Sequence, residues 1–306
     1  MVSVVGRRLL ALVPVLLGIS LLVFALTAIS LGDPVRATMG QRGDPAAIAR
    51  IRGDYGLDEP IWVQYGMWMS RLLRGDLGHS YRQQRPVTTI VAERFPATLR
   101  LALAATGVAV VLGVAAGTIA AVRHGGATDL AVMVGALVGI STPVFWLGLM
   151  LILVFAVWLG WFPVSGYGDG SWRHLVLPAS ILGYFSLAYI SRMTRSFMLE
   201  QLRQEYIVTA RVKGVTEWRV IWVHALGNVW VPLVTVIALS YAGLLEGSVL
   251  TETVFAWPGL GFYLTQSLLN ADMNAVLGAT LVVGAIFIGV NLLSDLLYRL
   301  LDPRAR

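Results

Sequence analysis

Long apolar runs alternate with short polar connections along the 306 residues of this chain. A helix that crosses a bilayer needs about twenty consecutive apolar residues. Runs near this length recur from one end of the chain to the other. The pattern therefore predicts an all-α integral membrane protein with six transmembrane helices, at residues 9–31, 98–122, 129–159, 174–198, 229–251 and 275–301.

The first apolar run has the flanks of a secretory signal peptide. Arg7 and Arg8 precede it, and the small residues Ala25 and Ala28 lie near its end. However, the apolar core of a signal peptide is about 7 to 15 residues long, and this run is longer. We therefore expect an uncleaved first helix.

Composition supports a membrane protein. Hydrophobic residues make up 57% of the chain, only 13% are charged, and the mean hydropathy is +0.74. Soluble domains are about one quarter charged. The basic residues number 23 and are scattered among the apolar runs, so the net charge of +6 indicates membrane orientation and not nucleic-acid binding. The chain has no cysteine, which excludes disulfides and thiolate chemistry.

Arginine and lysine in the connections predict which side of the membrane each one occupies, because short cytoplasmic loops are enriched in both. With the N-terminus inside, six basic residues between Arg192 and Arg219 lie in the cytoplasm, whereas connections 160–173 and 252–274 carry only Arg173. Residues 32–97 then lie outside despite nine arginines, which seven acidic residues nearly balance. We expect both termini to be cytoplasmic.

The long outer segment divides the predicted protein into three parts. Residues 1–31 are the N-terminal tail and first helix, 32–97 are an external docking segment of short helices, and 98–306 are a five-helix transmembrane core. A solvated connector is the alternative for 32–97, but loops of this length in compact proteins are usually functional or disordered. Within the core, GVAAGTIAA in the second span predicts close helix packing through small residues.

The most polar stretch of the core is EYIVTARVKGVTEWRVIWVHAL, residues 205–226, within the cytoplasmic loop 199–226. It predicts two short helices, one ending near Lys213 with Gly214 as a left-handed stop, the second starting near Thr216. Apolar and polar positions alternate in both. Such an element either lies on lipid headgroups or inserts into a groove on another protein, and periodicity alone does not distinguish these.

This loop resembles the cytoplasmic loop of permease subunits of binding-protein-dependent ABC importers, in the branch for dipeptides, oligopeptides and nickel. The general Glu-Ala-Ala form of the loop falls on Val208, Thr209 and Ala210, so its glutamate and first alanine are not kept. The form in the peptide branch, Tyr-Ile/Val followed by Thr-Ala-Arg and Lys-Gly, matches Tyr206, Ile207, Thr209, Ala210, Arg211, Lys213 and Gly214.

Other fragments resemble the same branch in the same order, so the resemblance covers essentially the whole chain. They are GLDEPIWVQYGMW, RGDLGHSY, FPATLRLALAA, STPVFWLGLMLILVFA, TETVFAWPGLG and DLLYRLLDPR. The resemblance implies a multi-pass protein of a prokaryotic cytoplasmic membrane that forms half of a translocation path. Its implied partners are a homologous second permease, two ATP-binding subunits and an external substrate-binding protein.

The chain itself lacks the loop that binds ATP phosphates. Such a loop ends in Gly-Lys-Ser/Thr, and Lys213, the only lysine, is followed by Gly214. We therefore expect no enzyme activity and no cofactor in this chain, with ATP and Mg²⁺ bound by the partner ATPases.

The resemblance implies that the loop transmits ATPase movements to the spans. We assign Ala210 and Gly214 to close packing and the turn, and Glu205, Arg211 and Lys213 to polar contacts at the rim of an ATPase groove; a solvated inner face is the alternative for the charges. The predicted coupling residues are Glu205, Tyr206, Thr209, Ala210, Arg211, Lys213, Gly214 and Trp218.

Carboxylates inside a membrane are costly and usually functional. Glu246 and Glu252 lie near the outer end of the fifth span, where they either line the translocation path or sit at the headgroup boundary. The four histidines are widely spaced, and neither H-E-x-x-H nor G-x-S-x-G occurs. An intramembrane hydrolase is therefore the weaker alternative. Peptide is the expected substrate, with nickel or another small solute as the alternative.

Overall fold

The computed structural model describes residues 2–30, 52–53 and 58–301. These residues form helices and turns without a β-strand, as predicted; their one β-bridge joins His79 and Pro86. The α-helices are α1 (Val2–Ser30), α2 (Ile61–Leu72), α3 (Val87–Val122), α4 (Ala127–Ser141), α5 (Val144–Leu151), α6 (Trp172–Leu202), α7 (Glu205–Val212), α8 (Glu217–Arg219), α9 (Leu226–Val254), α10 (Leu260–Leu269) and α11 (Met273–Leu301). Two π-helical segments, Ile152–Trp158 and Val220–Ala225, follow α5 and α8.

Four predicted spans coincide with helices that are long and apolar enough to cross a membrane: Val87–Val122, Trp172–Leu202, Glu217–Tyr241 and Met273–Leu292. Residues 9–30 of the predicted first span lie in α1, of which Val13–Thr27 forms a shorter apolar stretch, and residue 31 is outside the described residues. The predicted third span is a pair of helices. The described residues thus contain four such helices, or five if the bent pair forms one span.

The prediction of one helix over the third span, 129–159, is wrong. Helix α4 ends at Ser141, α5 begins at Val144, and the chain bends by 109° between them. Thr142 is extended, with φ −95° and ψ 133°, because the ring of Pro143 disfavours helical backbone at the preceding residue. The Thr142–Pro143 pair was the signal in the sequence for this break.

The chain divides into two compact units, Met1–Ala97 with Pro258–Gly289, and Thr98–Trp257 with Val290–Arg306. In the first unit, the turn after α2 is fastened to the start of α11. The Ser80 hydroxyl donates to the Asp272 carboxylate at 2.5 Å, and Asn274 Nδ2 donates to the His79 carbonyl at 3.0 Å. Asp272 also accepts from the Ala275 amide, which caps α11.

The second unit is built around α6, which packs against α3, α4 and α9. The predicted close packing of GVAAGTIAA is confirmed: a Cβ on Gly117 would lie 2.4 Å from the Ser191 carbonyl oxygen, and one on Gly113 would lie 3.0 Å from the Ile190 side chain. A Cβ on Gly183 would meet the Ala105 carbonyl oxygen at 2.6 Å. Glycine therefore lets the backbones of α3 and α6 approach directly.

Candidate functional site

The first helix of the segment 205–226 and the turn after it fold locally as the sequence predicts. Gly214 has φ +77° and follows α7 and Lys213, and the amides of Gly214 and Val215 donate to the carbonyls of Arg211 and Ala210 at 3.0 and 3.1 Å. These two hydrogen bonds form a Schellman motif, which satisfies carbonyls that the end of a helix leaves free. The assignment of Ala210 and Gly214 to the turn has this geometric basis.

The second helix does not stop as a separate short element. Helix α8 starts after Thr216 and continues through the π-helical segment Val220–Ala225 into α9. The apolar helix Glu217–Tyr241 therefore begins inside the predicted loop, twelve residues before the predicted start of the fifth span at 229. Because no linker separates α8 from α9, any movement of α8 also moves the N-terminal end of the predicted fifth span.

One side of α7 is anchored to the chain itself. Ile207 is fully buried, and it belongs to a cluster that includes Met198 of α6, Val220 of the π-helical segment and Leu226 of α9. Ala210, Val215 and Trp222 pack against the same cluster. This side therefore packs on the protein and does not lie on lipid headgroups.

Tyr206 adds a polar tie to the same anchor. Its hydroxyl donates to Gln201 Oε1 at the end of α6 and accepts from Asn228 Nδ2 at the start of α9, each at 2.9 Å. Gln201 and Asn228 were missed by sequence reasoning, since polar residues at helix ends give no signal for a partner 22 positions away. The tie fixes α7 to two of the long helices.

Apolar side chains project from the segment on its other side. Val208 and Val212 lie four positions apart on α7 and are 53% and 83% exposed, and Trp218 on α8 is 70% exposed. The Trp218 ring lies 5.2 Å from that of the partly buried Trp222, centroid to centroid. We call Val208, Val212 and Trp218 the outer residues. Exposed aromatic and aliphatic side chains on a rigid support are typical of protein-protein interfaces.

The charged residues of the segment are exposed. Arg211 pairs with Glu217 across the turn, with Nε–Oε1 at 2.8 Å and Nη2–Oε2 at 3.2 Å. Glu217 was not predicted, because its separation of six residues from Arg211 is not a helical spacing. Glu205 and Lys213 are exposed, and the Thr209 hydroxyl bonds to the carbonyl of Glu205 at 3.0 Å. Because the Arg211–Glu217 pair is exposed, it contributes little to the stability of the fold. The charged side chains of the segment lie at the surface, where a partner can contact them.

The two predicted path carboxylates lie in α9. Glu252 is fully buried, and the Thr98 hydroxyl donates to its Oε1 at 2.7 Å. Its side chain is therefore buried within the protein. The side chain of Glu246 is outside the part of the chain that the structure describes. A role of either residue in the translocation path stays a prediction.

Comparison with known proteins covers the chain almost end to end. A family described as "Binding-protein-dependent transport system inner membrane component" matches residues 113–306, and its N-terminal counterpart matches residues 1–102.

Three curated relatives illustrate the similarity. The chain is 41% identical over 312 residues to a putative peptide transport system permease protein of Brucella abortus, covering 100% of this chain and 99% of that protein. It is 43% identical over 333 residues to a di/tripeptide transport system permease protein of Pseudomonas aeruginosa, and 42% identical over 336 residues to a dipeptide transport system permease protein of Escherichia coli, with the same coverages. The chain therefore belongs to the family of inner membrane components of binding-protein-dependent transport systems.

Proposed function

We propose that this chain is the permease subunit of an ATP-driven importer of di- and oligopeptides in a prokaryotic cytoplasmic membrane. Family membership and the peptide transport named in three relatives support the proposal. The observation that carries it is the segment 205–222, in which buried Ile207 fixes the helices to the core while the outer residues are left for a partner.

The proposed assembly contains a homologous second permease, two ATP-binding subunits and an external binding protein. Six spans with cytoplasmic termini are the proposed topology, supported by the concentration of arginine between Arg192 and Arg219. Residues 32–97 form the proposed external docking segment, and 98–306 the permease core. Glu246 and Glu252 are the candidate residues of the translocation path.

The proposed mechanism transmits movement through packed helices. Closure of the ATPase dimer on ATP displaces α7 and α8, and the buried cluster around Ile207 passes this displacement to α6 and α9. ATP biases the outward-facing state only if the segment makes different contacts in the two states. The outer residues, together with Glu205, Arg211 and Lys213, make these contacts in the proposed complex.

Peptide uptake into proteoliposomes tests the function. The vesicles hold this chain, its partner permease, the two ATPases and the loaded binding protein, and uptake of labelled dipeptides and longer peptides is measured with and without ATP. We expect ATP-dependent accumulation. If the intact complex accumulates no peptide, while its ATPase responds to a binding protein loaded with nickel or another solute, the peptide assignment is wrong.

Trp218→Ala tests the outer residues. An aromatic anchor in an interface contributes about 2 to 4 kcal/mol to binding. We therefore expect the substitution to raise the dissociation constant of the ATPases from the permease pair strongly. The free permease should unfold at an unchanged temperature, because Trp218 is 70% exposed. Trp172→Ala is the matched control, since Trp172 is 65% exposed at the opposite end of α6. Equal ATPase affinity of the two variants would contradict the docking role.

A further inference from the structure

A charged cluster joins α4 to α6 near the end of α6 that leads into α7. Arg195 forms a bidentate ion pair with Asp129, in which Nε lies 2.5 Å from Oδ1 and Nη2 lies 2.7 Å from Oδ2. The Gly125 amide donates to the same carboxylate at 3.0 Å, and His124 Nδ1 lies 3.2 Å from it. Asp129 is 5% exposed in the first turn of α4.

The Asp129–Arg195 pair restrains the orientation of α4 relative to α6 and also attracts the two helices. A bidentate arginine–carboxylate pair restrains both planes, so it resists sliding and rotation of one helix against the other. Loss of Arg195 would leave the Asp129 carboxylate, whose side chain is 6% exposed, with little access to water, which is unfavourable. The pair therefore makes one relative position of α4 and α6 strongly preferred.

A second contact ties the same two helices further along. The Tyr184 hydroxyl donates to the Gly135 carbonyl at 3.0 Å, and a Cβ on Gly139 would lie 2.8 Å from the Tyr184 ring. Tyr184 and Arg195 are eleven positions apart on α6, or roughly 16 Å at the rise of an α-helix. Two ties at this separation prevent α4 from pivoting on α6.

The cluster also lies close to residues 205–222, which we call the coupling segment. Arg195 precedes Leu202, the last residue of α6, by seven positions, and α7 begins at Glu205. Helix α5, beyond the bend at Pro143, packs on α6 as well: Val144, Leu147 and Leu151 contact the cluster that contains Leu177 and Ile181. Both arms of the bent pair α4–α5 are thus fastened to the helix that α7 moves.

We infer that Asp129 and Arg195 are positioning residues for transport, which make the bent pair α4–α5 follow α6 when the coupling segment moves. This inference rests on the proposed function. Movement of the segment then reaches three parts of the second unit together: α6, α9 and the bent pair. Without the ion pair, ATP hydrolysis continues, but α4 no longer follows and fewer peptides are carried per ATP.

Asp129→Asn tests the inference, with Arg123→Gln as the control. Arg123 is an exposed arginine in the same turn, and its guanidinium donates to the Thr128 hydroxyl at 3.3 Å. We expect Asp129→Asn to lower peptide transported per ATP hydrolysed by about tenfold, a typical size for coupling between sites, while the complex assembles and hydrolyses ATP. Arg123→Gln should retain the wild-type ratio. A wild-type ratio in Asp129→Asn would overturn the inference.

A distance measurement separates positioning from simple stabilisation. The chain has no cysteine, so Leu130→Cys on α4 and Ser196→Cys on α6 give a unique pair of spin-label positions, both exposed. With an intact Asp129, we expect the label distance to change by less than about 2 Å between nucleotide-free and ATP-trapped complexes, the size of ordinary helix shifts. With Asp129→Asn, we expect the label distance to change by more than about 2 Å between the same two complexes. A large change with Asp129 intact would refute the common movement.

The proposed function and the inference fail in different ways. If wild-type complex accumulates no peptide, the proposed function fails, and the label distances still report whether α4 follows α6. If the wild type accumulates peptide and Asp129→Asn does so with the same stoichiometry, only the inference fails.

Discussion

Gly214→Val is expected to abolish peptide uptake and the stimulation of ATP hydrolysis by the loaded binding protein. Gly214 has φ +77°, and left-handed backbone costs an L-residue about 1 to 2 kcal/mol, with β-branched residues the least tolerant. The turn must therefore rearrange, which breaks the hydrogen bonds to Arg211 and Ala210 and tilts α7 away from α8. Uptake and ATPase rates in the same proteoliposomes measure both losses.

Gly214→Asn is the matched control for this substitution. Asn adopts left-handed backbone far more readily than Val, and a Cβ placed at Gly214 would have no atom within 4 Å beyond the two adjacent residues. Asn should therefore retain most of the uptake, which shows that the backbone conformation matters and not the absence of a side chain. If Gly214→Val transported peptide and stimulated ATPase at wild-type levels, the role of this turn in coupling would be refuted.

Ile207→Ala is expected to give the largest loss of stability among substitutions in the coupling segment. Ile207 is fully buried among Met198, Val220 and Leu226, and truncation of a buried isoleucine to alanine costs about 2 to 5 kcal/mol. The loss weakens the hold of α6 and α9 on α7, so uptake should fall as well. Thermal unfolding of the purified chain in detergent, with protease sensitivity within 203–216, measures the effect.

The adjacent residue provides the comparison for Ile207. Val208 is 53% exposed, so Val208→Ala should change the free energy of unfolding by about 0.5 kcal/mol or less, as is usual for surface substitutions. It should still weaken ATPase binding, because Val208 is one of the outer residues. Equal destabilisation by the two substitutions would show that α7 is not anchored through Ile207.

Local features of the coupling segment could be predicted because neighbouring residues determine them. The Gly214 stop and the start of α8 after Thr216 depend on backbone preferences and helix-end hydrogen bonds, and both are confirmed. The break at Thr142–Pro143 was equally local. It was missed because the apolar run continues across the proline, so hydropathy alone predicts one uninterrupted span.

The two sides of α7 could not be separated from the sequence. Ile207 and Val208 are adjacent, apolar and similar in size, and eight residues make too few turns for periodicity to select a buried face. Only the positions of α6 and α9 bury the first and expose the second. The Arg211–Glu217 pair was missed because it depends on the turn geometry.

The sequence by itself determined the all-helical membrane class, the family, the glycine-mediated packing of the second span, the stop of α7 at Gly214 and the start of α8 after Thr216. These follow from hydrophobicity, side-chain size and backbone preference, which are properties of single residues and their neighbours. Only the tertiary structure decided the burial of Glu252 against Thr98 and the pairing of Asp129 with Arg195. Those residues are far apart in the chain, at separations of 154 and 66 positions, and only helix packing brings them together.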